Sequence, residues 1–391
     1  METIMKMNMQ GSKIETPLGI YDIISLTIGM VIGVSIFKTP ALVAHSVASG
    51  IDMLVIWEVG ALISMAGGLC YAELSSTYPS DGGDYFFLKK AFGRDFAFVY
   101  AWSRISVIQT GSIALLAFLL GIAIIIILGL FYLPSFKAQY LVHQKTDIDT
   151  NWGYCLILVL LTFGGWNEAA YLFGVVSKKK RKFVLAFIFS LMSIAVLYLL
   201  VNLSFLRGLG LANMGASKSV AVDLAVLAFD SIGLWAIVII VTIATITSTN
   251  ATIFTGAKSL GSFKKDLEIS FLLTRPKSKI QKSTQSYYLQ AVLALLLVFL
   301  GQYSRNGFET MIDYTAPIFW FFLFMTGLSL IILRIKEPKV ARPFSVPLYP
   351  ILPFLFCCSS LYLFYASIHY SGWGSYSWLF DYKFWNSTTD S

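Results

Sequence analysis

Two glycine-containing strings interrupt stretches of chain that are otherwise apolar enough to cross a membrane. IGMVIGVSIF (Ile28 to Phe37) carries Gly29 and Gly33, and TFGGWNEAAY (Thr162 to Tyr171) carries Gly164-Gly165 followed by Trp166 and Asn167. Glycine costs roughly 1 kcal/mol per residue inside a helix. Its use here points either to close helix packing, which the four-residue spacing of Gly29 and Gly33 would suit, or to backbone that has left the helix. Unwound backbone inside a membrane presents free amides at the start of one half-helix and free carbonyls at the end of the other. The amides, helped by the helix dipole, suit a carboxylate, and the carbonyls suit an ammonium group. Two such breaks together make a site for a zwitterion, and irregular backbone at that depth is tolerated only where it is buried or lines a cavity.

The elements that carry these strings are membrane helices. The chain of 391 residues is 57% hydrophobic and 13% charged, with mean hydropathy +0.73, whereas soluble domains are roughly 45–50% apolar and about 25% charged. Nine segments are long enough, or nearly so, to cross: Leu18 to Ala44, Ile51 to Thr77, Phe96 to Leu133, Trp152 to Val176, Phe183 to Leu206, Ile232 to Ala257, Tyr287 to Tyr303, Met311 to Leu333 and Leu348 to His369. The expectation is an all-α polytopic membrane protein, residues 1–391 forming a single transmembrane domain with an extracytoplasmic aromatic tail over 370–391.

Lysine and arginine placement sets the orientation, because cytoplasmic connections carry the excess. With the N-terminus inside, inner segments hold 21 basic residues and outer ones 6, Lys38 and Arg104 within spans completing the 29. The C-terminus is then outside. Phe96 to Leu133 is 38 residues long, about 57 Å as a single helix, and could be two spans. Two spans would invert every later connection, leaving 11 basic residues inside and 16 outside. One overlong span is therefore expected, with Arg104 and Gln109 towards its cytoplasmic end, where a long side chain can snorkel to the headgroups.

Several other functions are disfavoured. The run Lys178-Lys179-Lys180-Arg181-Lys182 sits directly between two spans and reads as a topological anchor, with no nucleic-acid partner needed. Cys70, Cys155, Cys357 and Cys358 lie in or beside apolar segments without metal-ligand spacing, so neither a disulfide framework nor a metal site is expected. Lys6 and Lys13 precede a full-length first span, unlike a cleaved signal peptide. No nucleophile–base pair points to an intramembrane enzyme, and no cofactor is implied. Glu58, Glu73 and Glu168 are carboxylates at or near membrane depth and so candidates for function by default, although Glu73 and Glu168 could equally sit capped near cytoplasmic ends.

The two strings, together with CYAELSSTYPSDGGDYFFLKKAFG (Cys70 to Gly93), STNATIFTGAK (Ser248 to Lys258) and DYTAPIFWFFLFMTGLSLIILRIKEPKVARPFSVPLYP (Asp313 to Pro350), resemble amino acid permeases of the amino acid-polyamine-organocation superfamily. The nearest likeness is to the L-type amino acid transporter branch, and the strings occur in family order across nearly the whole chain. The resemblance implies a LeuT-like fold of two inverted five-helix repeats in a plasma or bacterial inner membrane. It also implies sodium-independent or proton-linked uptake or exchange of an amino acid by alternating access, with a proton or a counter-transported amino acid as coupled partner. Carried over, it assigns substrate contacts to Ile28, Gly29, Val31 and Gly33 in the first break and to Phe163, Gly164, Trp166 and Asn167 in the second, Trp166 as an aromatic gate. Thr245 and Ser248 fall where related sodium-coupled carriers bind a cation. Against these roles, Trp166 could be a packed aromatic, and the hydroxyls of Thr245 and Ser248 could bond back to their own helix.

The chain departs from the family as well. Ser35 stands where a third glycine is usual, and Val175 to Lys180 replaces an acidic residue followed by a Lys-Asn-Pro-type turn. Twelve spans are usual and nine are expected here: Ala117 to Gly121 resembles the middle of the third family helix, and IAIIIILGLFY directly after it resembles the end of the fifth. A fourth helix and most of a fifth are lacking, which accounts for the overlong apolar stretch, and the tail with Trp373, Trp378, Phe380 and Trp385 stands where a twelfth span is expected. These losses leave a second reading open, a transport-defective remnant or non-transporting membrane partner subunit.

Overall fold

The computed structural model describes residues 20–33, 35–80, 82–104, 150–169, 180–241 and 307–371, and among them no strand occurs. The first apolar stretch is broken, as its glycines predict, into α1 (Ile20–Val31) and α2 (Ser35–His45). Next come α3 (Gly50–Thr77), α4 (Asp84–Phe92) and α5 (Arg94–Ser103). The fourth apolar segment is broken as well, into α6 (Trp152–Thr162) and the short α7 (Trp166–Ala169). The remainder is α8 (Lys180–Ala216), α9 (Val220–Val241), α10 (Gly307–Lys336) and α11 (Ile351–Ser371).

Local chemistry sets the boundaries. Ser49 caps α3 by accepting the Asp52 amide at 3.0 Å, and Asn151 caps α6 by accepting the Tyr154 amide, each pairing one of the free donors of a helix start. Gly93, at φ 98°, separates α4 from α5 in a conformation that side chains rarely adopt. Non-helical angles at Gly210 bend α8, and Asp230, at φ 50°, interrupts α9 two residues before the apolar stretch beginning at Ile232.

Five described helices are long and apolar enough to cross a membrane: Gly50–Thr77, Lys182–Ala216, Val220–Val241, Thr315–Lys336 and Ile351–His369. Tyr287 to Tyr303 lies outside the described residues, as do most of Phe96 to Leu133, the later part of Ile232 to Ala257 and residues 372–391 of the tail.

Helix α3 stands at the centre and packs against α2, α6, α7, α8, α10 and α11. Its glycines allow this approach. A Cβ on Gly60 would stand 2.5 Å from Val159 of α6, one on Gly67 2.5 Å from both Trp166 of α7 and Phe356 of α11, and one on Gly68 2.5 Å from Leu191 of α8. Here glycine does serve the close packing that small residues permit between membrane helices.

The bundle has two chemically different ends. At one, the Asn151 amide donates to the Ser46 carbonyl, the Thr150 hydroxyl donates to Asp52 at 2.8 Å while accepting the Ala48 amide, and Gly215 lies against His45. At the other, Glu73 of α3 is wholly buried and takes Arg334 of α10 through Nε at 2.7 Å and through Nη2, the Val346 amide at 2.6 Å and Arg342 Nε at 3.3 Å. Beside it Lys90 and the Tyr78 hydroxyl both donate to Glu337, and Lys336 donates to the Ala91 carbonyl. Glu73 is thus the anchor of a multi-helix clasp, in keeping with its expected place near a helix end. Arg104, joined through Tyr100 to Asp84 of α4, lies on the clasp side of the bundle and Thr150 at the opposite end.

Glu73→Ala should strip two arginines and a buried amide of their acceptor. Breaking such a pair costs about 3–5 kcal/mol, so thermal unfolding of the purified protein in detergent should show a clearly lowered midpoint, whereas Glu58→Ala, at an exposed position, should leave it unchanged.

Candidate functional site

The two breaks are neighbours. α7 packs against α1, α2 packs against α6, and α8 runs along α1 and α2. The α1 half ends with the Ile32 amide on the Ile28 carbonyl at 2.9 Å, after which Ile32 and Gly33 are non-helical. In the second break the Phe163 amide closes on Val159, the Gly164 amide on Leu161 at 3.1 Å, and Gly165 takes φ 101° before α7 begins. That conformation explains Gly165 directly. Gly164 is required for a different reason: a Cβ there would stand 2.9 Å from the Leu161 carbonyl oxygen.

Gly33 differs from both. Among the described residues its Cβ position meets nothing nearer than the Ser35 hydroxyl at 3.7 Å. Among the described residues, then, none packs closely over this glycine. Val31 and Ile32 are each 1% exposed, so the break lies in the interior, and α2 starts just beyond it with its first amides turned back towards Gly33, Ile36 donating to the Gly33 carbonyl.

A tyrosine joins the two breaks. Tyr198 of α8 is fully buried, and its hydroxyl lies 3.2 Å from the Val31 carbonyl at the end of α1 and 3.2 Å from the Thr162 carbonyl at the end of α6, with the Gly33 backbone bonding to the same oxygen. A phenol has one proton, so it satisfies one of these carbonyls at a time. The Thr162 hydroxyl, 2.9 Å from both Thr39 Oγ1 of α2 and its own Leu158 carbonyl, adds a second link. Phe163, Trp57 and Tyr198 stack around this point with ring centroids 4.9–6.0 Å apart.

The residues assigned by resemblance divide on this framework. Ile28, Gly29, Val31 and Gly33 line the end of α1 and its break, and Phe163 and Gly164 the facing one. Trp166 is 4% exposed and packed edge-on between Tyr71 at 5.1 Å and Phe356 at 6.1 Å, over Gly67, the surroundings of a core aromatic. Asn167 is buried on α7 beside it. Thr245 and Ser248 lie outside the described residues.

Arg104 departs from expectation. It is 3% exposed and does not reach for the headgroups. Its Nη2 lies 2.6 and 2.7 Å from the two oxygens of Glu168 on α7, and its Nη1 donates to the Tyr100 hydroxyl at 2.8 Å, which in turn donates to Asp84 at 2.9 Å. Asp84 Oδ2 is 3.7 Å from the guanidinium. A charge buried this deep is tolerated because it is paired. Burial pushes the Asp84 carboxyl up from its ordinary range, while Arg104 and the hydroxyls of Tyr71 and Tyr100 pull it back. The sequence signal for this cluster is three charges flanking or inside apolar segments; their partnership spans more than 60 positions and no local pattern encodes it.

Comparison with known proteins decides the family. The amino acid permease pattern matches residues 18–112 and 103–380. The chain belongs to the amino acid permease family. The two matched pieces meet at 103–112, inside the overlong apolar stretch. The permease is 22% identical to the b(0,+)-type amino acid transporter 1 of Mus musculus over 417 residues, 91% of this chain and 83% of that relative. It is 23% identical to the large neutral amino acids transporter small subunit 2 of Homo sapiens over 409 residues, 88% of this chain and 75% of that relative. Both aligned stretches exceed the 391 residues of this permease, so the relatives carry positions that it lacks.

Tyr198→Phe should keep the aromatic stack and leave two buried carbonyls short of a donor, at about 1–3 kcal/mol. The expected result is a lower thermal midpoint together with faster amide exchange at residues 32–36 and 163–165, while segments of α10 and α11 exchange as in the wild type.

Proposed function

We propose that this permease is a secondary carrier of amino acids, acting by alternating access, and that the two breaks hold the substrate's charged groups. The observation that carries this reading is the shared Tyr198 hydroxyl, which brings the carbonyl ends of α1 and α6 to one point beside the non-helical backbone at Gly33. The amides opening α2 face a carboxylate with the sign of the helix dipole behind them. Because one phenol proton serves two carbonyls, an ammonium group has oxygen lone pairs to donate into without displacing the tyrosine. Binding by main chain recognises the zwitterion that all amino acids share, so selectivity for the side chain rests on the surrounding helices. Trp166, seated in the core, acts in this reading by holding α7 against α3 and α11.

The clasp end, with Lys90, Arg334, Lys336 and Arg342, is the cytoplasmic one by the positive-inside bias, placing the N-terminus inside and the C-terminus outside. A LeuT-like inverted repeat follows from the family and from the paired broken helices. The positions that the relatives carry and this chain lacks favour the competing reading, a non-transporting remnant or partner subunit, and a direct assay separates the two.

That assay is uptake of a labelled L-amino acid mixture into proteoliposomes under proton, sodium and counter-substrate gradients. Wild type should accumulate or exchange label. Gly33→Leu should lose at least tenfold of that rate with a smaller loss of stability than Gly164→Leu, because among the described residues a Cβ at Gly33 meets nothing nearer than 3.7 Å whereas one at Gly164 meets the Leu161 carbonyl oxygen at 2.9 Å. No transport by wild type under any gradient would contradict the carrier reading, and full activity of Gly33→Leu would contradict the site.

A further inference from the structure

The turn between α10 and α11 carries more positive charge than its acids neutralise. The span of α10 ends at Lys336 and that of α11 begins at Ile351, so residues 337–350 connect them at the membrane surface. Lys90, Arg334, Lys336, Lys339 and Arg342 stand at this end with two acids of the clasp, Glu73 and Glu337. Glu73 takes both arginines, and Arg342 uses its remaining donors on the carbonyls of Glu337, Pro338 and Val340. Glu337 takes Lys90. Lys336 is left with a main-chain carbonyl, that of Ala91, and Lys339 meets no acid among the described residues. Both lysines are exposed.

Apolar side chains flank these charges. Arg334 lies over the ring of Tyr349, 3.8 Å from its centroid, which joins the end of α10 to the approach to α11. The neighbours of that contact in the chain, Ile335 and Leu348, are 73% and 71% exposed. Beyond them α11 exposes Ile351, Phe354, Leu355, Leu361, Tyr362 and Tyr365, a spacing that keeps them on one side of the helix. Among the described residues nothing covers that side. The apolar stripe by itself calls only for acyl chains; the lysines at its end add a requirement on the headgroup. A zwitterionic headgroup brings its own ammonium group and leaves the surplus charge unmatched, whereas a net-negative one matches it.

We infer that the α10–α11 turn is a binding site for a phospholipid with a net-negative headgroup, its phosphate on Lys336 and Lys339 and its acyl chains along Ile335, Leu348 and the exposed side of α11. An ammonium group has three N–H donors, and Lys336 uses one on Ala91 of α4. The same side chain therefore links the phosphate to α4, and bound lipid steadies the place where α4, α10 and the approach to α11 meet. No covalent bond is made or broken. The attraction is between exposed charges, so salt weakens it. The site requires only the membrane helices and their clasp, and it stands independently of the carrier reading.

The test is native mass spectrometry of the full-length protein released from nanodiscs made of equal amounts of phosphatidylglycerol and phosphatidylcholine with identical acyl chains. A lysine near an anionic lipid surface contributes about fivefold in affinity, so wild type should retain phosphatidylglycerol over phosphatidylcholine by roughly an order of magnitude, less at high salt. Added phosphatidylglycerol should also raise its thermal midpoint. The double variant Lys336→Gln/Lys339→Gln should lose the preference. Should it fail to fold, Lys339→Glu, which breaks no contact of the clasp, should cut the preference about fivefold or more. Lys218→Gln removes an exposed charge three residues from Gly215, which lies against His45 at the opposite end, and should retain lipid as wild type does. Equal retention of the two lipids by wild type, an unaltered preference in the lysine variants of the turn, or the same loss in Lys218→Gln would overturn the inference. So would a dimer that buries the stripe and retains neither lipid. Because the readout is bound lipid, absence of amino acid transport would contradict the carrier reading alone.

Discussion

Backbone that leaves the helix inside a bilayer has no water to satisfy it, and each unpaired group costs several kcal/mol. That constraint governs this permease. Its first and fourth apolar segments both break in the interior, and the carbonyls freed at Val31 and Thr162 are served by one hydroxyl, that of Tyr198. Among the described residues, one phenol proton is thus shared between two carbonyls.

Around this point the bundle combines rigid and separable contacts. Glu73, with two arginines and the Val346 amide, joins α3, α10 and the segment before α11 through contacts that fully engage a buried carboxylate. α3 is locked further by Gly60, Gly67 and Gly68, each of which admits a side chain from a different neighbour. The second half-helix is held otherwise. Trp166 packs in an aromatic slot, and Glu168 holds a guanidinium that another acid also claims. The two holds differ in chemistry: a buried carboxylate engaged by two arginines and a main-chain amide on one side, an aromatic slot and an arginine–glutamate pair on the other.

Much of this was legible before the fold was known. Glycine in a membrane-length apolar run carries an energetic penalty, so the breaks at Gly33 and Gly164-Gly165 could be read directly. What could not be read was partnership. Arg104 was expected to reach the headgroups because a lone charge in an apolar stretch has no visible acceptor; its acceptors, Glu168 and Asp84, come from other segments. Tyr198 was invisible for the same reason, being one tyrosine among 20 on a uniformly apolar helix. Gly29 and Gly33 fitted the packing spacing as well as they fitted a break, and only the non-helical backbone at Ile32 and Gly33 separated the two explanations.

The central claim is that the two breaks form one amino acid site. A density map of the protein in lipid nanodiscs, recorded with and without a saturating mixture of L-amino acids, tests it most directly. The account predicts added density between Val31–Gly33 and Phe163–Gly165, its carboxylate end at the start of α2 and its ammonium end beside the Tyr198 hydroxyl. Ligand density elsewhere, with both breaks unchanged between the two maps, would contradict it.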